Sequence, residues 1–498
     1  MNEQRELLLL QNVDKYFSGV HAVNDLSISI KKGQIHCLAG ENGSGKSTLI
    51  KIISGIHAPE RGKIFINGKR QATLTPAQAI AQGIQVIYQD FSLFDNLSVA
   101  ENLTLNANLA RKKRLVSWGS IRKQAQSALA RLEIDMDLDE EVGNLSVAQK
   151  QLIAIARALM FNARLLIMDE PTTALTGKEV KVLFDIVRGI RAKGISILFV
   201  SHKMREMLEI SDWITVIRNG GKVAEGPTDE FDEKLLTWQM TGQQFSHERY
   251  SCPKKEETLR LELRNFSGRA FRDINLRLRR REIVGITGLL GSGRTEFAQA
   301  LFGMEPHFLG EIFLDGKRVA PRTIEQAIAD GIAYVPEDRL SEGLFLSQSI
   351  LRNILATTLD DNRAGLFFDR NKANAKAAEM VEELTINTAN IRNPVSTLSG
   401  GNQQRVVLGK WLLTRARLLI LNGPTVGVDV GSKAEIHEKI REITRENALS
   451  VLMISDDIQE LVHNCNRIFI MHRGRLIDEI PGELAEENAI NTRLKELI

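Results

Sequence analysis

Residues 40–48 read GENGSGKST and follow an apolar run, QIHCLAG (34–40), that has the length of a β-strand. Gly40 and Gly45 bracket four residues, and Lys46 and Ser47 follow, which is the G-x-x-x-x-G-K-[ST] pattern. In this pattern the glycines let backbone N–H groups converge on phosphate oxygens, and the following helix N-terminus adds positive potential. The sequence therefore predicts a strand–loop–helix unit that binds phosphate, with Lys46 at the outer phosphates and the Ser47 hydroxyl on Mg²⁺.

A second apolar run, LLIMDEPT (165–172), brings two acids to its carboxyl end. Asp169 is predicted to bind Mg²⁺ together with Ser47, which is the usual division of labour in phosphate-loop ATPases. Glu170, one residue on, is placed to orient or deprotonate the attacking water. His202 ends the later apolar run FVSH, 33 residues after Asp169, where a contact to the terminal phosphate is expected.

Composition narrows the class of protein. The 498 residues include 65 basic and 62 acidic ones, so net charge gives no case for a nucleic-acid or membrane-surface binder. The three cysteines are far apart and fit neither a zinc site nor a disulfide framework. No apolar run approaches the ~20 residues of a bilayer span. Short runs rich in Val, Ile and Leu alternate with longer amphipathic stretches, which predicts an α/β chain with largely parallel sheets.

The chain contains one long internal repeat. LLIMDEPT returns 253 positions later as LLILNGPT (418–425), and Leu145-Ser146 returns at the same offset as Leu398-Ser399. The two glycines of the phosphate loop return 248 positions later as Gly288 and Gly293. The period is far too long for a solenoid, so one domain has been duplicated.

The change of offset locates the divergence between the copies. About five residues are missing from the second copy near position 268 and are regained after 337. The stretch 241–258 is polar and lacks apolar periodicity, which is typical of a linker. The sequence thus predicts a first domain over 1–240, a linker over 241–258 and a second domain over 259–498.

The order and spacing of the motifs resemble those of the ABC-type ATPase domain. The first half has the phosphate loop, then Gln89, LSVAQ (145–149), LLIMDEPT and His202, and the second half repeats the series. The resemblance implies two tandem α/β domains, each with a mostly parallel core sheet, an antiparallel β subdomain and a helical subdomain. In this family two such domains clamp ATP, and the phosphate loop of one meets the signature serine of the other.

Mapped on this chain, the resemblance implies one complete site for ATP and Mg²⁺. Phe17 would stack on adenine, and Ser399 in LSGGN (398–402) would donate to the γ-phosphate from the second domain. The catalytic residues would be Glu170, His202 and Gln89, and the metal residues Ser47, Asp169 and Gln89. The residues implied in ATP binding are Phe17, Gly40, Glu41, Asn42, Gly43, Ser44, Gly45, Lys46, Ser47, Thr48, Ser399, Gly400 and Gly401.

The second half departs from the pattern at the positions that carry the chemistry. Arg294 stands where Lys46 does, and Asn422 and Gly423 replace the two acids. The second half thus lacks both a carboxylate that would bind the metal and a general base. Removal of a single electrostatic contribution of this kind typically lowers the rate of hydrolysis by about 10²–10³. We therefore expect one hydrolytic site and one degenerate site, the latter comprising Gly288, Gly293, Arg294, Thr295, Glu337, Asn422, Gly423, Asp456 and Ser146.

Further motifs of the second half narrow the resemblance. GSGRTE, PEDR, LSGGNQQ and GVDVGSK are similar to those of fused ATP-binding subunits of bacterial importers for ribose, galactose, xylose and related sugars. The pair Asn422-Gly423 departs from that group, which usually has Asp-Glu there. The resemblance implies an energising ATPase on the cytoplasmic face of the inner membrane. Its partners would be two membrane-spanning permease subunits and, indirectly, an extracytoplasmic sugar-binding protein, with no nucleic acid, and one chain would supply both ATPase domains.

Two other functions are consistent with a tandem architecture. Fused subunits of nucleoside importers are similar, but that group tends to carry Gln where Arg294 stands, which favours sugar. Soluble tandem ABC proteins that work on ribosomes have a long basic linker and competent acids in both halves, unlike this chain. At the residue level, Ser146 and Gln149 also fit an S-x-x-Q capping box before an amphipathic helix.

Overall fold

The structure is a computed structural model and describes residues 6–17, 20–110, 117–173, 175, 177–243, 249–250, 258–364 and 367–497. The chain divides into two compact units, Met1–Gln244 and Phe245–Ile498. Each unit has its own hydrophobic core. None of the described helices is both long and apolar enough to cross a membrane.

The first unit alternates strands and helices, as the sequence predicts. Its elements, in chain order, are β1 (Glu6–Phe17), β2 (Val20–Lys31), β3 (Ile35–Ala39), α1 (Lys46–Ile53), β4 (Arg61–Ile66), β5 (Lys69–Gln71), α2 (Pro76–Ala81), β6 (Ile84–Ile87), α3 (Val99–Ala110), α4 (Trp118–Ala130), α5 (Val147–Leu159), β7 (Leu165–Asp169), α6 (Gly177–Ala192), β8 (Ser196–Ser201), α7 (Met204–Ile210), β9 (Trp213–Arg218), β10 (Gly221–Pro227) and α8 (Glu233–Thr241).

Two sheets organise the first unit. The larger has the order β10-β9-β3-β8-β7-β6, with only β10 antiparallel to its neighbour. Its central strands are buried on both faces, because helices such as α6 cover one face and α1 with the smaller sheet covers the other, which explains their continuous apolar sequences. The smaller sheet, β2-β1-β4-β5, is antiparallel. A separate apolar cluster, which includes Val99, Leu103 and Ile121, lies among α3, α4 and α5 and forms the helical subdomain.

The second unit repeats this plan. Its elements are β11 (Leu259–Ser267), β12 (Ile274–Arg279), β13 (Ile283–Gly288), α9 (Arg294–Leu301), β14 (Leu309–Leu314), β15 (Lys317–Val319), α10 (Ile324–Ala329), β16 (Ile332–Val335), α11 (Ile350–Leu355), β17 (Arg363–Ala364), β18 (Phe367–Phe368), α12 (Arg370–Glu383), α13 (Gly400–Leu412), β19 (Leu418–Asn422), α14 (Val430–Glu446), β20 (Ser450–Ile454), α15 (Ile458–Asn464), β21 (Arg467–His472), β22 (Arg475–Pro481) and α16 (Glu487–Lys495). The larger sheet has the order β16-β19-β20-β13-β21-β22, the antiparallel sheet has the order β12-β11-β14-β15, and β17 and β18 form a small hairpin.

The backbone shows where the copies diverge. Asn12 and Asp25 have positive φ in the first unit, and Asn265 and Asp273 have it at the matching points of the second. Between these points the first unit extends the β1–β2 hairpin to Phe17, whereas β11 already ends at Ser267. The missing residues are therefore lost from the hairpin, and with them any counterpart of Phe17.

Two described residues of the 241–258 segment pack on the second unit. The Tyr250 side chain is buried, and its backbone N–H donates to the His463 carbonyl at 2.9 Å. The Arg249 guanidinium donates to the Ala485 carbonyl at 2.8 Å. Residues 244–248 and 251–257 of the predicted linker lie outside the described residues. The second unit thus begins to make contacts before its first strand.

Candidate functional site

The first phosphate loop joins β3 to α1. Gly43 and Gly45 have φ of 81° and 106°, a left-handed backbone that favours glycine. A Cβ on Gly45 would lie 2.4 Å from the Ala22 carbonyl oxygen, so no side chain fits there. The Lys46 ammonium donates to the carbonyls of Gly40 and Glu41 at 2.7 and 2.8 Å. This geometry places a cation over a turn of backbone amides, which suits a polyphosphate.

The remaining residues predicted for the loop lie on the same turn. The Ser44 N–H donates to the Glu41 carbonyl at 3.1 Å and closes the turn. The Ser44 side chain is buried, whereas the Ser47 side chain is exposed in the first turn of α1. Glu41, Asn42 and Thr48 complete the predicted set, at the start of the loop and in that first turn.

Asp169 ends β7 and is half-buried beside β8. Burial, together with the charge of Glu170, raises the pKa of the Asp169 carboxyl. Carboxylate and hydroxyl oxygens are the hard donors that Mg²⁺ takes alongside water and substrate phosphate. Asp169 and Ser47 therefore fit a magnesium ion, whose charge would favour the ionised form of this carboxylate.

Glu170 and His202 lie together at the ends of β7 and β8. Glu170 has φ of 48°, and its N–H donates to the Val200 carbonyl at 2.9 Å, so the chain turns as it leaves β7. His202 Nδ1 lies 3.0 Å from Glu170 Oε1. This hydrogen bond lowers the pKa of the Glu170 carboxyl despite partial burial. The pair is thus an ionised carboxylate whose position is fixed by a hydrogen bond with an imidazole.

The two other first-unit residues are more exposed. Gln89 lies just beyond β6 and is exposed. Phe17, at the end of β1, is 39% exposed and carries an aromatic face toward solvent. The ring of His57 contacts it edge-on, with centroids 5.2 Å apart. The sequence reasoning missed His57, because nothing in its local pattern connects it to Phe17, 40 positions earlier.

Both predicted signature serines cap helices. Ser399 precedes α13 and accepts from the Asn402 side-chain amide at 3.0 Å. A Cβ on Gly401 would lie 2.3 Å from the Ser432 hydroxyl, so the helix packs there only with glycine, and Gly400 precedes it in the same first turn. Ser146 precedes α5 and forms the capping box with Gln149 that the sequence also indicates. Each unit therefore has a hydroxyl at a helix N-terminus.

The second phosphate loop keeps the backbone of the first. Gly291 and Gly293 have φ of 76° and 95°, and a Cβ on Gly293 would lie 2.3 Å from the Ala270 carbonyl oxygen. Arg294 Nη1 donates to the Gly288 carbonyl at 2.8 Å, as Lys46 does in the first loop. Arg294 Nη2 makes an ion pair with Asp456, a contact that the sequence analysis did not predict. Thr295 follows in the first turn of α9.

Beyond the second loop, neutral groups replace the acids. Asn422 ends β19, is buried, and donates from Nδ2 to the Tyr334 hydroxyl at 3.3 Å. Burial raises the pKa of Tyr334 to about 12, so the phenol stays protonated. A Cβ on Gly423 would lie 3.0 Å from Glu337 Cγ. Tyr334 was missed from sequence, although its position in β16 corresponds to Val86 in β6 and the change of residue type is visible there.

Residues 23–173 and 271–426 each match the family described as ABC transporter, once per unit. The chain belongs to the ABC transporter family. Because both units carry the family's ATP-binding domain, this ABC protein is an ATPase coupled to transport, as its sequence predicts.

Relatives of this ABC protein extend over its whole length. It is 41% identical over 480 residues to "Ribose import ATP-binding protein RbsA" of Corynebacterium glutamicum, covering 96% of this chain and 91% of that one. It is 40% identical over 489 residues to "Ribose import ATP-binding protein RbsA 2" of Streptomyces avermitilis, covering 97% and 96%. A solved nucleotide-free ATP-binding cassette from an ABC transporter has a TM-score of 0.43 and 30% identity, covering 46% of this chain and 97% of that one.

Proposed function

We propose that this chain is the ATP-hydrolysing, energising subunit of a bacterial importer for a simple sugar. The observation that carries the proposal is the full-length similarity to proteins named for ribose import, at about 40% identity. A relative of Ralstonia nicotianae, 39% identical and named for putative ribose, galactose and methyl galactoside import, supports a sugar rather than another cargo.

Hydrolysis takes place at the phosphate loop of the first unit. Lys46 and the loop amides bind the phosphates, and Phe17 stacks on the adenine. Glu170 accepts the proton of the attacking water while His202 holds its carboxylate in place. Ser47 and Asp169, with Gln89 near them in the family's arrangement, would hold Mg²⁺, which supplies charge stabilisation on the phosphates when bound.

The second site is degenerate and does not hydrolyse ATP. Its loop has Arg294 for lysine and its acids are replaced by Asn422 and Gly423. In the family's arrangement the signature serine of one domain serves the phosphate loop of the other, so Ser399 would complete the competent site and Ser146 the degenerate one. The working protein therefore comprises domains 1–240 and 259–498 with the linker 241–258 between them.

The partners follow from the transport role. Two membrane-spanning permease subunits dock on this chain at the cytoplasmic face of the inner membrane, and an extracytoplasmic sugar-binding protein delivers the cargo to them. One chain supplies both ATPase domains of such a complex.

The test is uptake by cells that lack the gene. We expect loss of uptake of labelled ribose, galactose or xylose, restored by the wild-type gene and by Glu209→Gln, an exposed change on α7 of the same chemical kind. Glu170→Gln should not restore it. Loss of nucleoside uptake instead would move the proposal to the nucleoside class, and unchanged uptake of both would overturn it.

A further inference from the structure

The second phosphate loop retains a binding turn whose terminal positions are filled by the protein itself. Its two left-handed glycines reproduce the first loop, so the amides of the turn point the same way. The Ser292 hydroxyl, buried within this loop, has no hydrogen-bond partner among the described residues, and neither has Ser44 in the first loop. An unpartnered buried hydroxyl inside an amide turn indicates that a ligand oxygen belongs there.

At the position where the outermost phosphate is expected, the second unit has an acid whose side chain is largely exposed. Asp456 stands in the second unit at the position of His202 in the first. Asn422 pairs with Ile454 as Asp169 pairs with Val200, and Asp456 and His202 each lie two residues beyond that strand partner. Its carboxylate makes an ion pair with Arg294, whose guanidinium is buried. A γ-phosphate entering this place would have to displace one negative group and then lie next to it, which is unfavourable.

The position of the metal is occupied by an amide and a phenol. Asn422 Nδ2 donates to Tyr334 Oη, and both side chains are 3% exposed. Tyr334 also stacks on Phe302 with ring centroids 5.3 Å apart, which fixes the phenol in this place. Neither group carries the charge that a divalent cation needs, and Mg²⁺ sites ordinarily use one or two carboxylates. The second loop therefore has a phosphate turn without a metal site.

At the position expected for the adenine base, the described part of the second unit has no counterpart of Phe17. The β11–β12 hairpin ends before the point where Phe17 lies in the first unit. Stacking of a base on an aromatic ring is worth about 1–3 kcal/mol. Without it, the affinity of this loop for a nucleotide depends on the phosphates.

We propose that the second loop binds a diphosphate group free of metal and discriminates against Mg·ATP. The ligand is the diphosphate of a nucleoside diphosphate or pyrophosphate itself, held by the loop amides, the Ser292 hydroxyl and the open donors of Arg294. Asp456 is the specificity-determining residue, because it holds the place that a third phosphate would take. This inference rests on the degenerate second site of the proposed function and names its ligand.

The experiment uses the full chain with Lys46→Ala, which disables the first loop. Calorimetric titrations with ADP in EDTA, pyrophosphate in EDTA and Mg·ATP should give about one diphosphate bound per chain and at least tenfold weaker binding of Mg·ATP. Equal affinity for ADP and pyrophosphate would identify the free diphosphate group as sufficient. Binding of ADP at least tenfold tighter than that of pyrophosphate would identify a nucleoside diphosphate as the source of the bound diphosphate group.

Two further variants in that background test the named side chains. Arg294→Ala should weaken diphosphate binding at least tenfold, and Asp456→Asn should reduce the preference for ADP over Mg·ATP to less than threefold. If Lys46→Ala does not fold, the same titrations are made on the chain with Glu170→Gln. We then expect two ADP molecules to bind per chain in EDTA and one Mg·ATP to bind per chain in the presence of magnesium.

Three results would overturn the inference: equal affinity for Mg·ATP and ADP at the second loop, no diphosphate binding, or binding that survives Arg294→Ala. The proposed function is judged separately by uptake and by the effect of Glu170→Gln on turnover. A failure of one is therefore distinguishable from a failure of the other.

Discussion

Glu170 and Gly423 have nearly the same backbone conformation, with φ of 48° and 59°, at equivalent positions of the two units. The divergence at this residue has therefore removed a side chain without changing the turn that presents it. In the second unit a Cβ on Gly423 would lie only 3.0 Å from Glu337 Cγ, so a side chain there would press against Glu337. The change from glutamate to glycine alters the chemistry on an unchanged turn geometry, so the fold gives no hint of it.

The hydrogen bond from His202 should tune Glu170, the proposed general base. Because this hydrogen bond lowers the pKa of Glu170, the carboxyl stays ionised below the ordinary value of 4.5. In His202→Ala this support is lost, so we expect the acid limb of the turnover–pH profile to move to higher pH, besides a fall in rate. Turnover between pH 4 and 8 measures it. His57→Ala, which does not contact Glu170, should keep the wild-type acid limb, and an unmoved limb in His202→Ala would contradict this role.

Glu460 is a buried acid whose stability contribution should depend on pH. Burial opposes its ionisation, but His437, Lys433 and the Ser455 hydroxyl more than offset burial and lower its pKa to about 2. It also accepts from the Thr425 hydroxyl at 2.7 Å. Since the folded pKa is depressed, the stabilisation is present above the unfolded value of 4.5 and is lost as pH falls toward 2.

We therefore expect Glu460→Gln to lower the unfolding free energy of the second unit by about 3–5 kcal/mol at pH 7. The difference from wild type should shrink below pH 4.5. Calorimetric melting from pH 7 down to about 2 measures both. Glu442→Gln, an exposed change on α14, should stay within about 0.5 kcal/mol of wild type, and a pH-independent difference for Glu460→Gln would contradict the assignment.

At this scale the sequence predicts which residues form the two phosphate loops, because the residues of each loop are contiguous in the chain. It does not predict partners brought in by tertiary packing. Tyr334 reaches Asn422 from a neighbouring strand, and Asp456 reaches Arg294 from more than 160 residues away. Only the sheet register brings these pairs together.

Among the elements, the turn between β16 and α11 departs most from what periodicity can predict. Residues Arg339–Gly343 form one turn of π-helix. Arg339 donates to the carbonyls of Val426 and Gly427 at 2.7 and 3.2 Å, and Lys410 of α13 donates to the Gly343 carbonyl at 2.7 Å. A wide turn of this kind has no local signal, since its shape is set by contacts with other segments, made by its own Arg339 and by Lys410 of α13.

Lys410 makes this turn sensitive to alkaline pH. Burial lowers its pKa to about 8, from 10.5, so between these values the folded chain has released a proton that the unfolded chain keeps. Stability contributed by this group therefore rises with pH across that window. We expect the melting temperature of wild type to rise relative to Lys410→Met between pH 8 and 10. Lys372→Met, on the exposed face of α12, should run parallel to wild type, and a parallel Lys410→Met would contradict the burial argument.

The β1–β2 hairpin should contribute to substrate affinity through its tip. Phe17→Ala removes the aromatic face, so we expect the KM for ATP to rise about 5- to 150-fold, the range that about 1–3 kcal/mol of stacking implies. Turnover at saturation should change less than threefold. Tyr16→Ala is the matched control, because Tyr16 stacks on His21 instead, with centroids 4.0 Å apart. A KM unchanged by Phe17→Ala would remove this residue from the site.

For the whole molecule, duplication supplies internally matched controls. Ser399 and Ser146 both cap helices, so replacing either by alanine removes a cap worth about 1 kcal/mol. If Ser399 also serves the competent site, Ser399→Ala should lower ATP turnover at least tenfold, and Ser146→Ala should lower it much less. Melting temperatures measure the loss of the helix cap, and steady-state ATP turnover measures the loss of activity. Equal losses of turnover would contradict the crosswise assignment.

The shortened hairpin of the second unit also makes the two halves chemically distinguishable. Among the described residues, an exposed aromatic ring, Phe17, ends the first strand of the first unit, whereas the first strand of the second unit ends at Ser267. A photoreactive adenine analogue bound beside Phe17 should therefore label a peptide of the first unit, and a proteolytic digest would report occupancy of that pocket separately from its counterpart.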